Sequence, residues 1–132
     1  MTAASSVTEL IQHAAHRDVQ SFSARMADVS LEAAVDTWLR RVVRRKATPI
    51  QRTRLVKAVE RGSSPETKDI QLTRAALLRA AGLDERSAAA AAIEAGATFT
   101  EVGSILGMTQ QGASARIRPY LNDRAATSGP RA

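Results

Sequence analysis

The sequence predicts an all-α protein, and three observations support this. No segment shows sustained alternation of apolar and polar residues, and no Asn-Gly or Asp-Gly hairpin dipeptide occurs. Aromatic residues make up only 3% of the 132 residues, which disfavours strands because strands depend on aromatic and β-branched residues. Apolar residues recur at steps of three and four along most of the chain. We therefore expect a multi-helix single domain with roughly six or seven helices.

The first two predicted helices are amphipathic. A capping-box pattern at Ser6 and Glu9 opens the first helix, which we expect to end near Ala27. Its apolar residues at helical spacing are Val7, Leu10, Ile11, Ala14, Ala15, Val19, Phe22 and Met26. Ser30 is predicted to cap a second helix with a continuous apolar stripe. The stripe is typical of a core or a subunit interface and consists of Leu31, Ala34, Val35, Trp38, Leu39, Val42 and Val43.

The third predicted helix has clear start and stop signals. Thr48 is a suitable N-cap, Pro49 suits the first helical position, and Gln51 completes a capping box. Gly62 is suited to end this helix after Arg61, because glycine adopts the left-handed conformation found at helix C-termini.

The fourth and fifth predicted helices are bounded by glycines. The fourth runs from about Pro65 to Gly82, with a buried face expected at Ile70, Leu77, Leu78 and Ala81. Asp84 is expected to cap the fifth, which contains an alanine run and ends at Gly96. Alanine is the best helix former and permits close helix packing.

Positive charge is concentrated in one part of the chain. The net charge of the protein is +6, but residues 40–61 contain nine basic residues and one acidic residue, a local charge of +8. The remainder of the chain carries −2. This distribution predicts a surface for phosphate groups or for an acidic protein partner. A solvated basic face at helix C-termini is the structural alternative.

Several classes of function are disfavoured by the sequence. The chain has no cysteine, which excludes disulfides, thiolate metal sites and cysteine nucleophiles. It has no Gly-rich phosphate loop and no recognisable catalytic grouping, so we expect no enzyme activity, no cofactor and no small-molecule ligand. His13 and His16 have a spacing found in metal sites, but two ligands are too few, and we expect no bound metal.

The sequence predicts a cytoplasmic protein. Residues 1–8 lack the basic run and apolar stretch of a signal peptide, and no window approaches the roughly 18 apolar residues of a membrane span. We therefore expect no membrane association.

A segment near the C-terminus, residues 96–118, has the pattern of two short helices joined by a tight turn. Thr98 and Glu101 form a capping box at the start of the first short helix. Val102 and Leu106, four residues apart, are expected to face inward. Gly103 lies where the second helix must cross closely. Glycine permits this crossing because a larger side chain would hold the two helices apart.

The second short helix of this segment follows directly. Gly107 is suited to a positive φ angle that ends the first helix, and Met108 is expected to fill the turn from inside. Thr109 is predicted to cap the second helix, whose Ala113 and Ile117 face the first. Short helices, a glycine-containing turn and small residues at the crossing are typical of a helix-turn-helix.

The segment resembles the helix-turn-helix of many bacterial, especially actinobacterial, DNA-binding proteins. The matching residues are Gly96, Thr98, Phe99, Glu101, Val102, Gly103, Leu106, Gly107, Met108, Thr109, Gln111, Gly112 and Ala113. The chain departs from the pattern at Gly112, where alanine is commoner. It also has Pro119 soon after, so we expect the second helix to end or kink near Ile117.

In such a motif the N-terminal residues of the second helix contact base edges in the major groove. Gln pairs with adenine and Arg with guanine through two hydrogen bonds each. The predicted base-contacting residues are Thr109, Gln110, Gln111, Ser114, Ala115 and Arg118. Phosphate contacts are predicted for hydroxyls at helix starts and for basic side chains, at Thr98, Thr100, Arg116, Arg40, Arg41, Arg44, Arg45 and Lys46.

The sequence thus predicts a helical portion at residues 1–82 for packing and dimerisation, a trihelical helix-turn-helix unit at 83–122 and a disordered tail at 123–132. The predicted function is sequence-specific binding of double-stranded DNA, as a nucleoid-associated transcriptional regulator or a plasmid or chromosome site-binding protein. A homodimer built on the stripes of the first two helices would present two recognition helices. The alternative is an adaptor that binds an acidic protein through the basic segment between Arg40 and Arg61.

Overall fold

A computed structural model describes residues 3–128 of the chain. These residues form six α-helices and one π-helix and contain no strand, which confirms the all-α class. The helices are α1 (Ala3–Thr37), α2 (Pro49–Glu60), α3 (Thr67–Ala80), α4 (Arg86–Glu94), α5 (Phe99–Leu106) and α6 (Gln110–Ser128). The π-helix, Trp38–Val42, follows α1 directly. Within the described part of the chain, no helix combines the length and the apolar character needed to cross a membrane.

The chain divides into two compact units, residues 1–30 and 31–132. The described part of the first unit is the N-terminal portion of α1, where residues 6–29 are all exposed. The second unit holds the remaining helices, and within it α3 packs on α4 and α5. The expected boundary between residues 82 and 83 therefore falls inside one compact unit.

The predicted break between the first two helices is wrong, because α1 continues without interruption through Ser30. The Ser30 hydroxyl donates to the Ala27 carbonyl at 2.9 Å, a bond within the helix, and does not cap a new one. No glycine or proline lies between residues 3 and 37, so nothing in the backbone forces the helix to end. Ser6 is likewise not an N-cap, since α1 already includes Ala3.

One core cluster of the second unit lies at the end of α1. It contains the buried residues Leu31, Ala34, Val35, Trp38, Leu39, Val59 and Ile70. Most of the stripe predicted for a second helix is therefore core and is not free for a dimer interface. Val42 and Val43 remain 59% and 40% exposed, because the helical structure ends at this point.

The other core cluster joins α3, α4, α5 and α6. Its buried residues are Leu72, Ala75, Ala88, Ala89, Ala90, Ala92, Ala97, Val102, Leu106, Ala113 and Ile117. The alanines let α4 approach its neighbours closely. The buried face of α3 differs from the predicted one, since Leu77 is 37% exposed and Ala81 is exposed. The reason is that α3 contributes to both clusters, with Ile70 in one and Leu72 in the other.

The helix α6 does not end near Ile117, and Pro119 lies inside it. Tertiary contacts offset the backbone hydrogen bond that proline removes. Tyr120 and Leu121 pack against the second cluster, and Arg124 pairs with Glu94 of α4 at 2.7 Å. Residues 123–128 are helical where the sequence predicted an unstructured tail. The rest of that predicted tail, 129–132, lies outside the described residues.

Candidate nucleic-acid interface

The helix α5 is set by a capping box and an ion pair at its N-terminus. The Thr98 hydroxyl accepts from the Glu101 backbone N–H at 3.1 Å, and the Glu101 carboxylate accepts from the Thr98 N–H at 3.0 Å. Glu101 also accepts from Lys68 of α3 at 3.2 Å. The Thr98 N–H and then Lys68 lower the pKa of Glu101 below its usual value. These contacts confirm the predicted cap and fix the start of α5 against α3.

The turn between α5 and α6 depends on two glycines. Gly107 ends α5 with φ 72° and ψ 36°, the left-handed conformation expected from the sequence. A Cβ atom on Gly103 would lie 2.6 Å from the Met108 carbonyl oxygen and 3.0 Å from that of Thr109. No side chain fits at Gly103, so α5 and the start of α6 approach each other backbone to backbone. The Thr109 hydroxyl then accepts from the Gly112 N–H at 2.9 Å, as predicted for a cap.

The two sides of α6 have different environments. Ala113 and Ile117 are fully buried against the core of α3, α4 and α5, as predicted. The side predicted to contact bases is open, with Gln110, Gln111, Ala115 and Arg118 exposed and Ser114 half-buried. An inward-facing polar flank would have excluded a groove-binding role, and this arrangement is not observed.

Five of the six predicted base-contacting side chains lie together on one surface, while the sixth, Thr109, is exposed at the cap of α6. A shallow depression of about 360 Å³ is lined by Phe99, Gln110, Gln111, Ser114, Ala115 and Arg118. Arg118 donates to the Ser114 hydroxyl at 3.2 Å, and its guanidinium lies 5.0 Å from the centre of the Phe99 ring. The aromatic face and the hydroxyl restrain the Arg118 side chain before any ligand binds. We name the side chains of residues 110, 111, 114, 115 and 118 the α6 face.

A buried carboxylate holds α6 in place, and sequence analysis did not identify it. Glu85 is 1% exposed, and its carboxylate accepts two hydrogen bonds from Arg116 Nε at 3.1 Å and one from Arg116 Nη2 at 2.6 Å. Arg79 Nη1 donates to the same carboxylate at 3.0 Å, and Arg79 Nε donates to the Leu106 carbonyl at 3.1 Å. One carboxylate thereby connects α3, the C-terminus of α5 and α6.

Arg116, for which the sequence predicted a phosphate contact, binds Glu85 through Nε and Nη2 while 39% of its side chain remains exposed. Its hydrogen bonds to Glu85 lower the pKa of that carboxyl, with a smaller contribution from Arg79. Arg86, which donates from its side chain and its backbone N–H, lowers the pKa of the neighbouring Asp84 to about 2. The predicted cap at Asp84 is wrong by one residue, because Glu85 occupies the N-cap position of α4 without a capping bond, while the Asp84 carboxylate accepts from the Arg86 N–H at 3.0 Å. In the sequence, the trace of this network is the acidic pair Asp84 and Glu85 directly before α4. Such a pair cannot be distinguished from an ordinary helix cap without the structure.

The predicted phosphate-contacting hydroxyls differ in availability. Thr100 is exposed in the first turn of α5. Thr98 and Thr109 are also exposed, but their hydroxyls already cap α5 and α6. A hydroxyl that accepts from a backbone N–H still has its own hydrogen to donate, so capping does not prevent contact with a phosphate oxygen.

The basic residues between positions 40 and 46 line a second surface. A depression of about 620 Å³ is bordered by Asp36, Leu39, Arg40, Arg41, Arg44, Arg45, Lys46, Ala47 and Arg52. Arg52 binds Asp36 through both carboxylate oxygens, and Arg45 pairs with Glu66 at 3.0 Å. Among the described residues, Arg41, Arg44 and Lys46 form no ion pair. We name the side chains of residues 40, 41, 44, 45 and 46 the basic depression.

The backbone of the basic depression has an unusual conformation. The Val43 N–H donates to the Trp38 carbonyl at 3.0 Å, and the Arg45 N–H donates to the Leu39 carbonyl at 2.9 Å. Between them Arg44 has φ 51°, a left-handed conformation that usually favours glycine. The wide turn places neighbouring cations on one concave surface. The Arg45 guanidinium also lies 5.4 Å from the centre of the buried Trp38 ring.

His13 and His16 are exposed on α1. No group of three or more metal-ligating side chains occurs among residues that the structure describes.

Comparison with protein-family models, with curated proteins and with solved structures finds no match for this chain. The functional interpretation therefore depends on the geometry of the α6 face and of the basic depression.

Proposed function

We propose that the protein binds double-stranded DNA sequence-specifically, with α5 and α6 acting as a helix-turn-helix, and that it regulates transcription or marks a plasmid or chromosomal site. The trihelical unit consists of α4, α5 and α6. The observation that supports this most strongly is the asymmetry of α6, which has a buried anchoring side and an exposed polar side directly after a tight turn.

The chemistry of the α6 face suits a major groove. Gln110 and Gln111 lie in the first turn of α6, where side chains of a recognition helix contact base edges. Each can bond adenine N6 and N7, while Arg118 can bond guanine O6 and N7. The Phe99 ring and the Ser114 hydroxyl restrain Arg118, which reduces the entropy lost on binding.

The basic depression is proposed to add affinity that does not depend on sequence. Its free cations would neutralise backbone phosphates and release counterions, a contribution that weakens as salt rises. One recognition helix covers few base pairs, so we further propose a homodimer that contacts two half-sites about 34 Å apart or a multiple of that distance.

The decisive experiment is selection of bound sequences from random duplex DNA by the full-length protein. An enriched inverted repeat is the expected result. No enriched sequence, together with negligible duplex binding at physiological salt, would contradict the proposal. It would favour the alternative function, an adaptor for an acidic protein that uses the basic depression.

Arg118→Lys is expected to reduce discrimination at one base pair about tenfold, because lysine keeps the charge but cannot make the two parallel bonds to guanine. The slope of log affinity against log salt should remain unchanged. Affinities for the selected site and for single-base variants, measured by fluorescence anisotropy at several salt concentrations, test this. Equal discrimination by the variant and the wild type would exclude Arg118 as a base-contacting residue.

Arg44→Gly is expected to weaken binding to all sequences equally and to flatten the salt slope by about 1. Glycine preserves the left-handed backbone, so the effect reports the lost charge rather than a rebuilt turn. Arg54→Ala is the matched control, because it removes one exposed positive charge from α2 outside the basic depression. The same anisotropy titrations apply. Equal slopes for the two variants would argue against a phosphate site in the depression.

A further inference from the structure

The first unit of the chain presents a long apolar face that its described residues leave exposed. Over residues 7–29 the exposed fractions lie between 48% and 66% for Val7, Leu10, Ile11, Val19, Phe22, Met26 and Val29. At 100° per residue these side chains lie on one side of α1. The face is about 35 Å long at a rise of 1.5 Å per residue.

A helix of this kind needs a partner to be stable. Most helical stability in proteins comes from packing of the apolar side against another element. Contiguous exposed apolar surface of this length marks an interaction site. The question is which partner covers it.

Two opposite charges lie within the apolar face and indicate the partner. Asp18 and Arg25 are on the same side of α1 as Ile11, Phe22 and Val29, by helical spacing. They are seven residues apart, about 10.5 Å along the axis, too far to pair with each other. Neither forms an ion pair among the described residues. Covering this face with a purely apolar surface would bury both charges unpaired, which is costly.

We propose that the face binds a second copy of this chain, with the two α1 helices antiparallel and centred near Phe22. A two-fold axis at that point places Asp18 of each copy opposite Arg25 of the other, so both charges are paired. Val29 of each copy then lies against Ile11 and Ala14 of the other. The two Phe22 rings meet at the axis.

A second charge pair favours the same register independently. Arg17 and Asp28 lie together on one edge of the apolar face. Antiparallel pairing about a two-fold axis brings the same edges of both helices together, so Arg17 of one copy approaches Asp28 of the other. The centre implied by this pair falls within about one residue of the centre implied by Asp18 and Arg25. A parallel two-fold pair would instead oppose Asp18 to Asp18 and Arg25 to Arg25, and would separate the two edges that carry Arg17 and Asp28.

This inference deepens the proposed homodimer but does not depend on DNA binding, because its test measures the association of the chain with itself. The full-length wild-type protein should sediment as a dimer at micromolar concentration. Asp18→Arg and Arg25→Asp should each weaken dimerisation at least tenfold, since each opposes like charges twice per dimer. Glu9→Arg reverses a charge about 140° around the helix from Phe22 and should have no effect.

Combining the variants tests the relative orientation of the two α1 helices. It also shows whether a single variant fails to dimerise because of charge repulsion or because it is misfolded. An equimolar mixture of the two single variants should form a heterodimer, because every pair is again complementary. The double variant Asp18→Arg/Arg25→Asp should regain the wild-type dimer but should not mix with wild-type chains. A monomeric wild type would overturn the proposal. Single variants that dimerise as well as the wild type would also overturn it, because this result is expected for a parallel pair. Retained sequence discrimination in a monomer would leave the DNA-binding proposal intact.

Discussion

Glu85→Gln is expected to lower the free energy of unfolding by about 2 to 3 kcal/mol, since it removes the charged acceptor of three strong hydrogen-bonding groups. This destabilisation is smaller than the usual loss for a broken buried ion pair, because the side chains of Arg79 and Arg116 are 44% and 39% exposed and can be solvated by water. Urea denaturation at pH 7 followed by circular dichroism measures the loss.

The loss should depend on pH in a defined direction. The pKa of Glu85 in the folded protein is below its ordinary value of 4.5, so folding favours the ionised form. The stabilisation is therefore complete above about pH 5 and disappears as pH falls through the lowered pKa. Asp84, with a pKa of about 2, remains ionised over most of this range. The stability curves of wild type and variant should converge in acid.

Glu94→Gln is the matched control for Glu85→Gln. It removes the same charge from an exposed ion pair with Arg124, in which Glu94 is 48% exposed, and exposed pairs contribute little. Equal destabilisation by the two substitutions would show that burial of the Glu85 carboxylate is unimportant. A wild-type stability independent of pH between 7 and 3 would also contradict the assignment.

Gly103→Ala is expected to lower the free energy of unfolding by about 2 kcal/mol, although alanine is the better helix former by about 1 kcal/mol. The added Cβ would meet the Met108 carbonyl oxygen at 2.6 Å, and a backbone atom can move only by separating α5 from α6. Ser104→Ala, at the adjacent exposed position, should change stability by less than about 0.5 kcal/mol. Chemical denaturation of the two variants provides the comparison. Equal stability of Gly103→Ala and wild type would mean that the turn tolerates a wider separation than the structure shows.

The same substitution connects stability with the proposed function. Widening the distance between α5 and α6 would shift the α6 face relative to the rest of the protein. We therefore expect Gly103→Ala to reduce DNA affinity even at temperatures where the variant is fully folded.

Local features of the helices were predictable from sequence because they depend on contacts between neighbouring residues. The capping boxes at Thr48 and Thr98 are present with both reciprocal hydrogen bonds. Gly62 and Gly107 have the positive φ angles expected of helix ends. The inward positions of α5 and α6 also followed from spacing. In these cases a few adjacent residues determine the conformation of the backbone.

Helix ends without such a signal were predicted less well. Ser30 has the side chain of a cap, but the same hydroxyl can bond to the preceding turn, and α1 continues. Pro119 usually ends a helix, yet the packing of Tyr120 and Leu121 against the second core cluster keeps α6 helical beyond it. Local propensity predicts an interruption at both positions, but at Ser30 a bond within the helix allows it to continue, and at Pro119 a longer-range contact does so.

By itself, the sequence determined the all-α class, which residues share a face of each helix, and the compact turn before α6. Only the tertiary structure decided what covers each face. The stripes of residues 7–29 and 31–39 look alike in sequence, yet the second is core and the first is exposed. It also decided that Arg116, which remains partly exposed, pairs with the buried carboxylate of Glu85. Periodicity records the direction of a side chain, whereas burial and pairing depend on residues far away in the chain.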